Sequence, residues 1–137
     1  MTVAQSMSLF DIAGRAMSAQ LVRLNTSASN LANAGAISSS DATAYRPLKP
    51  VFQTLFEGNS GKATVSIAGV VTSNAAPGRR FEPGHPLADA QGYIHLSAVD
   101  PNTELVEMVE TARQYRSNIE VLETAKSLTL ETLRLGR

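Results

Sequence analysis

The chain has 137 residues, with twelve basic and twelve acidic side chains and no cysteine or tryptophan. This length accommodates one domain with a modest hydrophobic core, and zero net charge provides no basic field for nucleic acid or an anionic lipid surface. The absence of cysteine excludes disulfides and thiolate chemistry, no apolar run is long enough to span a membrane, and no cleaved signal peptide is recognisable at the N-terminus.

The first predicted element is an amphipathic helix that ends near Asn33. Residues 1–6 carry no pattern, and Met7 is a candidate alternative start. Ser8 and Asp11 resemble a capping box in which Asp replaces the preferred Glu. Apolar side chains then recur every seven residues, as expected for a helix with one apolar stripe; they are Phe10, Met17, Leu24 and Leu31.

The other faces of this helix carry mostly small, uncharged side chains, which include Ala16, Ser18, Ala19, Gln20, Ser27, Asn30 and Asn33. A helix that faces solvent normally displays more charge. Small side chains allow another backbone to approach closely, so the composition favours a helix that is covered on more than one side. The alternative is a surface helix with unusually few charges.

The middle of the chain, residues 35–99, is predicted to form a loop followed by a small β-rich insert. Two strands are expected at residues 51–56 and 64–68, joined by a hairpin loop at 58–61, and a third strand is expected at 93–96. Phe81 and Tyr93 have little helix to pack on. We therefore expect them to close one β module over the hairpin.

The last third of the chain predicts a second long helix. Asp100 is a suitable N-cap. Pro101 fits the first helical position, because a backbone N–H at that position would make no hydrogen bond within the helix and proline therefore loses none. An apolar stripe with the seven-residue repeat of a coiled coil follows at Leu105, Met108, Ala112, Tyr115, Ile119 and Leu122. We therefore expect the two terminal helices to pair as a coiled coil.

The apolar stripe of this second helix changes near its end. The last leucines spread around much of the helix circumference instead of following one line; they are Leu128, Leu130, Leu133 and Leu135. A helix with apolar side chains on more than one side needs more than one neighbour. The sequence therefore indicates that some of these leucines contact a different molecule.

The sequence contains no recognisable catalytic, metal or cofactor site. His85 and His95 are the only two histidines and have Glu82 and Asp89 nearby, but they lie ten residues apart on different predicted elements, which is unusual for metal ligands. No serine lies in a nucleophile elbow, and no glycine-rich phosphate loop is present. An enzyme that uses His85 and Asp89 is thus a disfavoured hypothesis.

Specific motifs point to a family. Residues 28–33, Ala-Ser-Asn-Leu-Ala-Asn, resemble the signature that closes the N-terminal helix in the rod and hook family of bacterial flagellar axial proteins. Residues 81–89 and 92–94 resemble the C-type proximal rod subclass of that family. Tyr115, Asn118 and Leu122 fit its C-terminal helix. Residues 96–100 depart from the subclass pattern, and residues 1–6 resemble an extension.

The resemblance implies a structural subunit of the flagellar proximal rod, which polymerises into the hollow driveshaft that transmits torque from the motor to the hook. It implies an α+β fold in which helices at 7–34 and 100–137 pair as a coiled coil around the insert at 35–99. The implied subunit-packing residues are Phe10, Met17, Leu24, Asn30, Leu31, Asn33, Leu105, Met108, Tyr115, Asn118, Ile119, Leu122, Leu128, Leu130, Leu133 and Leu135.

The resemblance also implies partners and a location. The expected partners are copies of the chain, other rod proteins, the membrane ring and rod adaptor at the base, and the flagellar type III export apparatus; nucleic acid, direct lipid contact and cofactors are not expected. The expected location is the basal-body rod in the periplasmic space, reached without a cleaved signal peptide. The alternative is a secreted monomeric binding module or effector that binds a ligand through the β insert, and self-association distinguishes the two.

Overall fold

A computed structural model describes residues 8–58 and 61–136. Two long helices flank five strands, which agrees with the expected α+β class. The elements are α1 (Leu9–Ala32), β1 (Ile37–Ser38), β2 (Leu48–Glu57), β3 (Lys62–Thr72), β4 (Arg79–Phe81), β5 (Tyr93–Leu96) and α2 (Pro101–Leu135). The candidate start at Met7, residues 1–6, the centre of the expected hairpin loop at 59–60 and residue 137 lie outside the described residues.

Both helix starts are capped as the sequence predicts. The Ser8 hydroxyl oxygen accepts the backbone N–H of Asp11 at 3.1 Å, and the Asp11 carboxylate accepts the backbone N–H of Ser8 at 2.9 Å. The hydrogen bonds from Ser8 favour the ionised form and lower the pKa of Asp11. Asp100 caps α2 by accepting the backbone N–H of Asn102 at 3.1 Å, and Pro101 is the first helical residue.

The two helices contact each other in an antiparallel arrangement. Gln20 donates to Gln114 at 2.8 Å, the Arg23 guanidinium forms an ion pair with Glu107, and Asn30 donates to Glu104 at 3.1 Å. Residue numbers rise along α1 while those of the partners fall along α2. This register brings the first turn of α1 level with Ala125, so α2 continues beyond the pair.

The hairpin of β2 and β3 lies along α1, on a different side of that helix from α2. The strands pair antiparallel from Leu48–Thr72 to Glu57–Lys62, with a bulge after Val51. Val65 and Ile67 of β3 face Ala19 and Val22 of α1 across a small cleft. Ala19 is buried, which confirms that the small-residue face of α1 allows a second element to approach closely.

The rest of the insert differs from the single β module expected from the sequence. β1, β5 and β4 form a separate three-stranded antiparallel sheet, in that order. Phe81 and Tyr93 pack edge to face within this sheet, with ring centroids 5.2 Å apart, and do not close over the hairpin. Gly92 has a φ of 84°, and a Cβ there would lie 2.9 Å from the Phe81 ring. The start of the insert, where the sequence predicts only a loop, contains β1.

Three acidic residues of α2 are followed by a basic residue three positions later, and one of these pairs forms an ion pair on the exposed face of the helix. Arg113 donates to Glu110 through Nε at 2.9 Å and Nη2 at 2.8 Å, and Gln114 donates to the same carboxylate at 2.9 Å. These hydrogen bonds lower the pKa of Glu110 from 4.5 to about 2, and the hydrogen bond from Arg113 makes the largest contribution. Among the described residues, neither Glu123 and Lys126 nor Glu131 and Arg134 approach within ion-pair distance.

Glu110 is expected to make the stability of the helix pair depend on acid pH. Because its folded-state pKa lies below its unfolded value, the stabilisation is present above pH 4.5 and is lost as the pH falls towards 2. Thermal melts of the wild type and of Glu110→Gln over this range test the linkage. The wild type should be the more stable at pH 7, and the difference should vanish near pH 2; a difference that does not change with pH contradicts the assignment.

Candidate functional site

The histidines have structural roles in turns and strands. The ring nitrogen Nε2 of buried His95 lies 3.3 Å from the Asp89 carboxylate. Asp89 also accepts the backbone N–H groups of Tyr93 and Gln91, and its pKa is lowered, chiefly by the Tyr93 hydrogen bond. His85 Nδ1 accepts the backbone N–H of Leu87 at 3.0 Å. Within residues 8–58 and 61–136, no group of three potential metal ligands is present.

Asn30 connects α1 to α2 and to the hairpin through its side-chain hydrogen bonds. Its side chain is 2% exposed and joins three elements. The amide oxygen accepts the Leu48 backbone N–H at 2.8 Å and the Tyr45 hydroxyl at 3.1 Å. The amide nitrogen donates to the Leu48 carbonyl at 2.9 Å and to Glu104 at 3.1 Å. Asn30 therefore fixes the first residue of the hairpin to both helices.

This environment shows what Asn30 and Asn33, two of the predicted subunit-packing residues, do within the subunit. Asn30 is buried and makes four hydrogen bonds inside the chain. Asn33, at the C-cap of α1, donates to the Ser29 carbonyl at 2.8 Å and stays partly exposed. The sequence motif thus contains one residue that organises the subunit and one that closes its first helix.

Replacing Asn30 with Leu should lower the free energy of unfolding. The substitution leaves the half-buried Leu48 N–H and carbonyl without a partner, and a single unsatisfied buried group costs about 1–3 kcal/mol. Chemical denaturation measures the loss. Asn33→Ala is the matched control, since it removes one exposed hydrogen bond and should cost less than about 1 kcal/mol. Equal stability of the Asn30 variant and the wild type would contradict the central role of this side chain.

Small and polar side chains fill the inner surfaces of the helices. The buried helical residues are Ala13, Ala19, Thr26, Ser27, Asn30, Thr111 and Ala125. The large apolar residues of the two predicted stripes are only partly buried or exposed. Polar contacts from Gln20, Arg23 and Asn30 also join the two helices. The structure thus shows a helix pair, and it does not confirm coiled-coil packing of the two stripes.

Residues of both stripes line an open apolar groove between α1 and α2. We define this interhelical groove by Leu21, Leu24, Ala112, Tyr115 and Ile119. Its volume is about 310 Å³, and Gln20, Thr111 and Arg116 complete its walls. The other six predicted stripe residues are also partly or largely exposed; they are Phe10, Met17, Leu31, Leu105, Met108 and Leu122. Phe10 and Leu105 are the most exposed of them. Asn118 is also only partly buried.

The end of α2 extends beyond the start of α1, and no other described element covers it. We call residues 126–135 the overhang; it spans about 15 Å at 1.5 Å per residue. Every residue of the overhang is exposed. Its four leucines have exposed fractions of 59% for Leu128, 47% for Leu130, 65% for Leu133 and 88% for Leu135. Such apolar exposure is typical of an interaction surface.

Sequence reasoning missed the polar contacts between the helices and an exposed apolar surface on the hairpin. The sequence does not show that Gln20 and Arg23 have partners, because those partners lie 94 and 84 residues away along the chain. The hairpin exposes Phe52, Phe56 and Val71. A recess of about 390 Å³ separates the hairpin base from α2, between Arg23, Lys49, Phe52 and Glu107 among others.

No helix among the described residues is long and apolar enough to cross a membrane.

Comparison with known proteins gives consistent matches along the chain. The family described as "Flagella basal body rod protein" matches residues 10–34, and the family described as "Flagellar basal body rod FlgEFG protein C-terminal" matches residues 90–135. The flagellar basal-body rod protein FlgC of Salmonella typhimurium is 46% identical over 133 residues, which cover 96% of this chain and 98% of that protein. FlgC of Yersinia enterocolitica is 44% identical over 131 residues, with the same coverage. FlgC of Buchnera aphidicola from Acyrthosiphon pisum is 38% identical over 138 residues, covering 95% of this chain and 97% of that protein.

Proposed function

The chain belongs to the flagellar basal-body rod proteins, and on that basis we propose that it is a structural subunit of the proximal rod. In this role it polymerises into the hollow driveshaft that transmits torque from the motor to the hook. The observation that carries the proposal is the apolar surface left open on both terminal helices, in the interhelical groove and on the overhang. A subunit inside a tube has neighbours on several sides that cover such surfaces.

We propose that the segments at 7–34 and 100–137 form the assembly core and that the insert at 35–99 is a separate part of the subunit. The predicted packing residues other than Asn30 then make contacts between subunits. Their partial exposure supports this role, because a side chain must be accessible in the free subunit to be buried on assembly. In the assembled rod, the two apolar stripes would complete coiled-coil packing with neighbouring helices.

The proposed partners are copies of the chain, other rod proteins, and the membrane ring and rod adaptor at the base. We further propose that the chain reaches the periplasmic rod through the flagellar type III export apparatus, without a cleaved signal peptide. The absence of cysteine supports passage of an unfolded thread, because no disulfide has to form or open on the way.

The alternative of a secreted monomeric binding module finds no support among the relatives, whose names describe rod proteins. The exposed leucines also disfavour a lone soluble monomer, in which a large apolar patch is an aggregation hazard. The relatives are likewise named as rod proteins and not as enzymes.

Mass spectrometry of purified basal bodies tests the proposed function. A strain that lacks this chain should not swim, and complementation should restore swimming and place the chain in the basal-body fraction. A strain that swims without the chain, or a chain found only in the medium of a swimming culture, would show that the rod assignment is wrong.

A further inference from the structure

We propose that one side of the overhang docks into the interhelical groove of a second copy of the chain, with Glu131 of the first copy paired to Arg116 of the second. This inference rests on the proposed function and names the contact that would join copies in the rod. It starts from two apolar surfaces on the same molecule that no other described element covers.

The overhang has two distinct apolar sides. At 100° per residue, Leu128 and Leu135 lie close together on one side of the helix, whereas Leu130 and Leu133 lie on the side that continues the apolar stripe. Glu131 lies on the same side as Leu128 and Leu135. This side therefore presents two leucines and an acidic group, and we call it the acidic side of the overhang.

The spacing of the acidic side matches the groove. Leu128 and Leu135 are seven residues apart, which corresponds to about 10.5 Å along the helix. Ala112 and Ile119 are also seven residues apart and, with Leu21 and Leu24, line the groove. Two leucines two turns apart can thus enter the groove together, as knobs enter holes in helix packing.

Charge complementarity selects the acidic side over the other side. Arg116 lies at the groove wall and is exposed. Within the described part of the chain, neither Arg116 nor Glu131 makes an ion pair, so both charges are available to another molecule. The side that carries Leu130 and Leu133 has Lys126 next to it. That side would bring a second cation towards Arg116, and like charges oppose docking.

The contact joins different surfaces on the two copies, and one chain cannot satisfy both with itself. In the antiparallel register, Leu24 and Leu128 of one chain lie more than about 20 Å apart along the helix pair. Each copy therefore uses its overhang on one neighbour and its groove on another. Such a heterologous contact does not close as a two-fold dimer and suits open-ended growth or a ring.

Charge reversal tests the ion pair in the complete protein and in living cells. Glu131→Arg and Arg116→Glu should each reduce rod incorporation and swimming, because like charges would then meet. The double variant restores opposite charges and should recover both properties. Lys49→Glu is the control, since it reverses an exposed charge on the hairpin, outside both the groove and the overhang, and it should swim normally. Normal swimming of both single variants, or no recovery in the double variant, overturns the docking contact.

Disulfide trapping tests the same contact directly, and the cysteine-free chain provides a clean background. Leu24→Cys with Leu128→Cys should give covalently joined copies in oxidised basal bodies. The distance within one chain exceeds the 7 Å limit between disulfide-bonded Cα atoms, so any bridge must join two copies. Leu24→Cys with Leu130→Cys is the control, because Leu130 lies at the same height on the other side, and it should give no bridge.

The two tests separate this inference from the proposed function. Basal bodies that contain the Leu24→Cys, Leu128→Cys chain without any bridge overturn the docking contact and leave the rod assignment intact. A bridge with Leu130→Cys in place of Leu128→Cys also overturns it, because the other side of the overhang would then be the docking side. Absence of the wild-type chain from basal bodies would show that the rod assignment itself is wrong.

Discussion

Deletion of residues 130–137 is expected to abolish incorporation of the chain into the rod while its export continues. The deletion removes Leu130, Leu133 and Leu135, all of which are exposed in the isolated subunit. Burial of one leucine side chain contributes roughly 1.5–3 kcal/mol, so the assembled state would lose several kcal/mol per subunit. The fold of the free chain should persist, because the last buried residue of α2 is Ala125.

The measurement compares the truncated chain in purified basal bodies with that in the culture medium of the complemented strain. Deletion of residues 136–137 alone is the control, because it shortens the chain but keeps every leucine, and it should swim normally. A strain with the longer deletion that incorporates the chain and swims would show that these leucines are not needed for assembly.

The helices and the hairpin were predictable because their causes are local. A capping box at Ser8, a proline at the start of α2 and a regular apolar repeat together define where each helix begins and which side is apolar. The β2–β3 hairpin follows from two β-branched segments separated by glycines. β1 and β4 were missed because two or three residues carry too little periodicity to be distinguished from a loop.

The partner of each helix side was not predictable, because periodicity identifies an apolar side without saying what covers it. The heptad repeats suggested that the two stripes meet, and residues of both stripes do line one groove, but the polar contacts of Gln20, Arg23 and Asn30 between the helices were not foreseen. Those polar pairs depend on the antiparallel register, which no local pattern encodes. The role of Asn30 likewise depends on Leu48 and Glu104, which only the tertiary fold brings together.

The polar contacts between the helices set the helix register, and they leave apolar surface accessible beside them. A single apolar seam would set the register but bury that surface. Gln20, Arg23 and Asn30 hold α1 and α2 in register within one subunit, while the stripes remain available beside them. A seam closed within the subunit would have buried Leu24 and Ile119 and left less apolar surface for neighbours. On the proposed assembly role, the free subunit could therefore adopt its helix register before a neighbour covers the groove.

Ile119→Asp is expected to abolish swimming without blocking export. Ile119 lies in the interhelical groove and is only partly buried in the free subunit, so the aspartate can stay hydrated there. If assembly covers the groove, the same carboxylate becomes an unpaired buried charge, which costs about 3–5 kcal/mol. Leu24→Asp, on the opposite wall of the groove, should have the same effect for the same reason.

Three measurements distinguish this expectation from simple misfolding. Circular dichroism of the purified variant should retain the helical signal of the wild type, the medium should contain the exported chain, and basal bodies should lack it. Ser117→Asp is the matched control, since Ser117 is exposed two residues away on the same helix and adds the same charge outside the groove. If Ile119→Asp swims as well as Ser117→Asp, the groove is open to water in the rod and its assignment as an assembly surface is wrong.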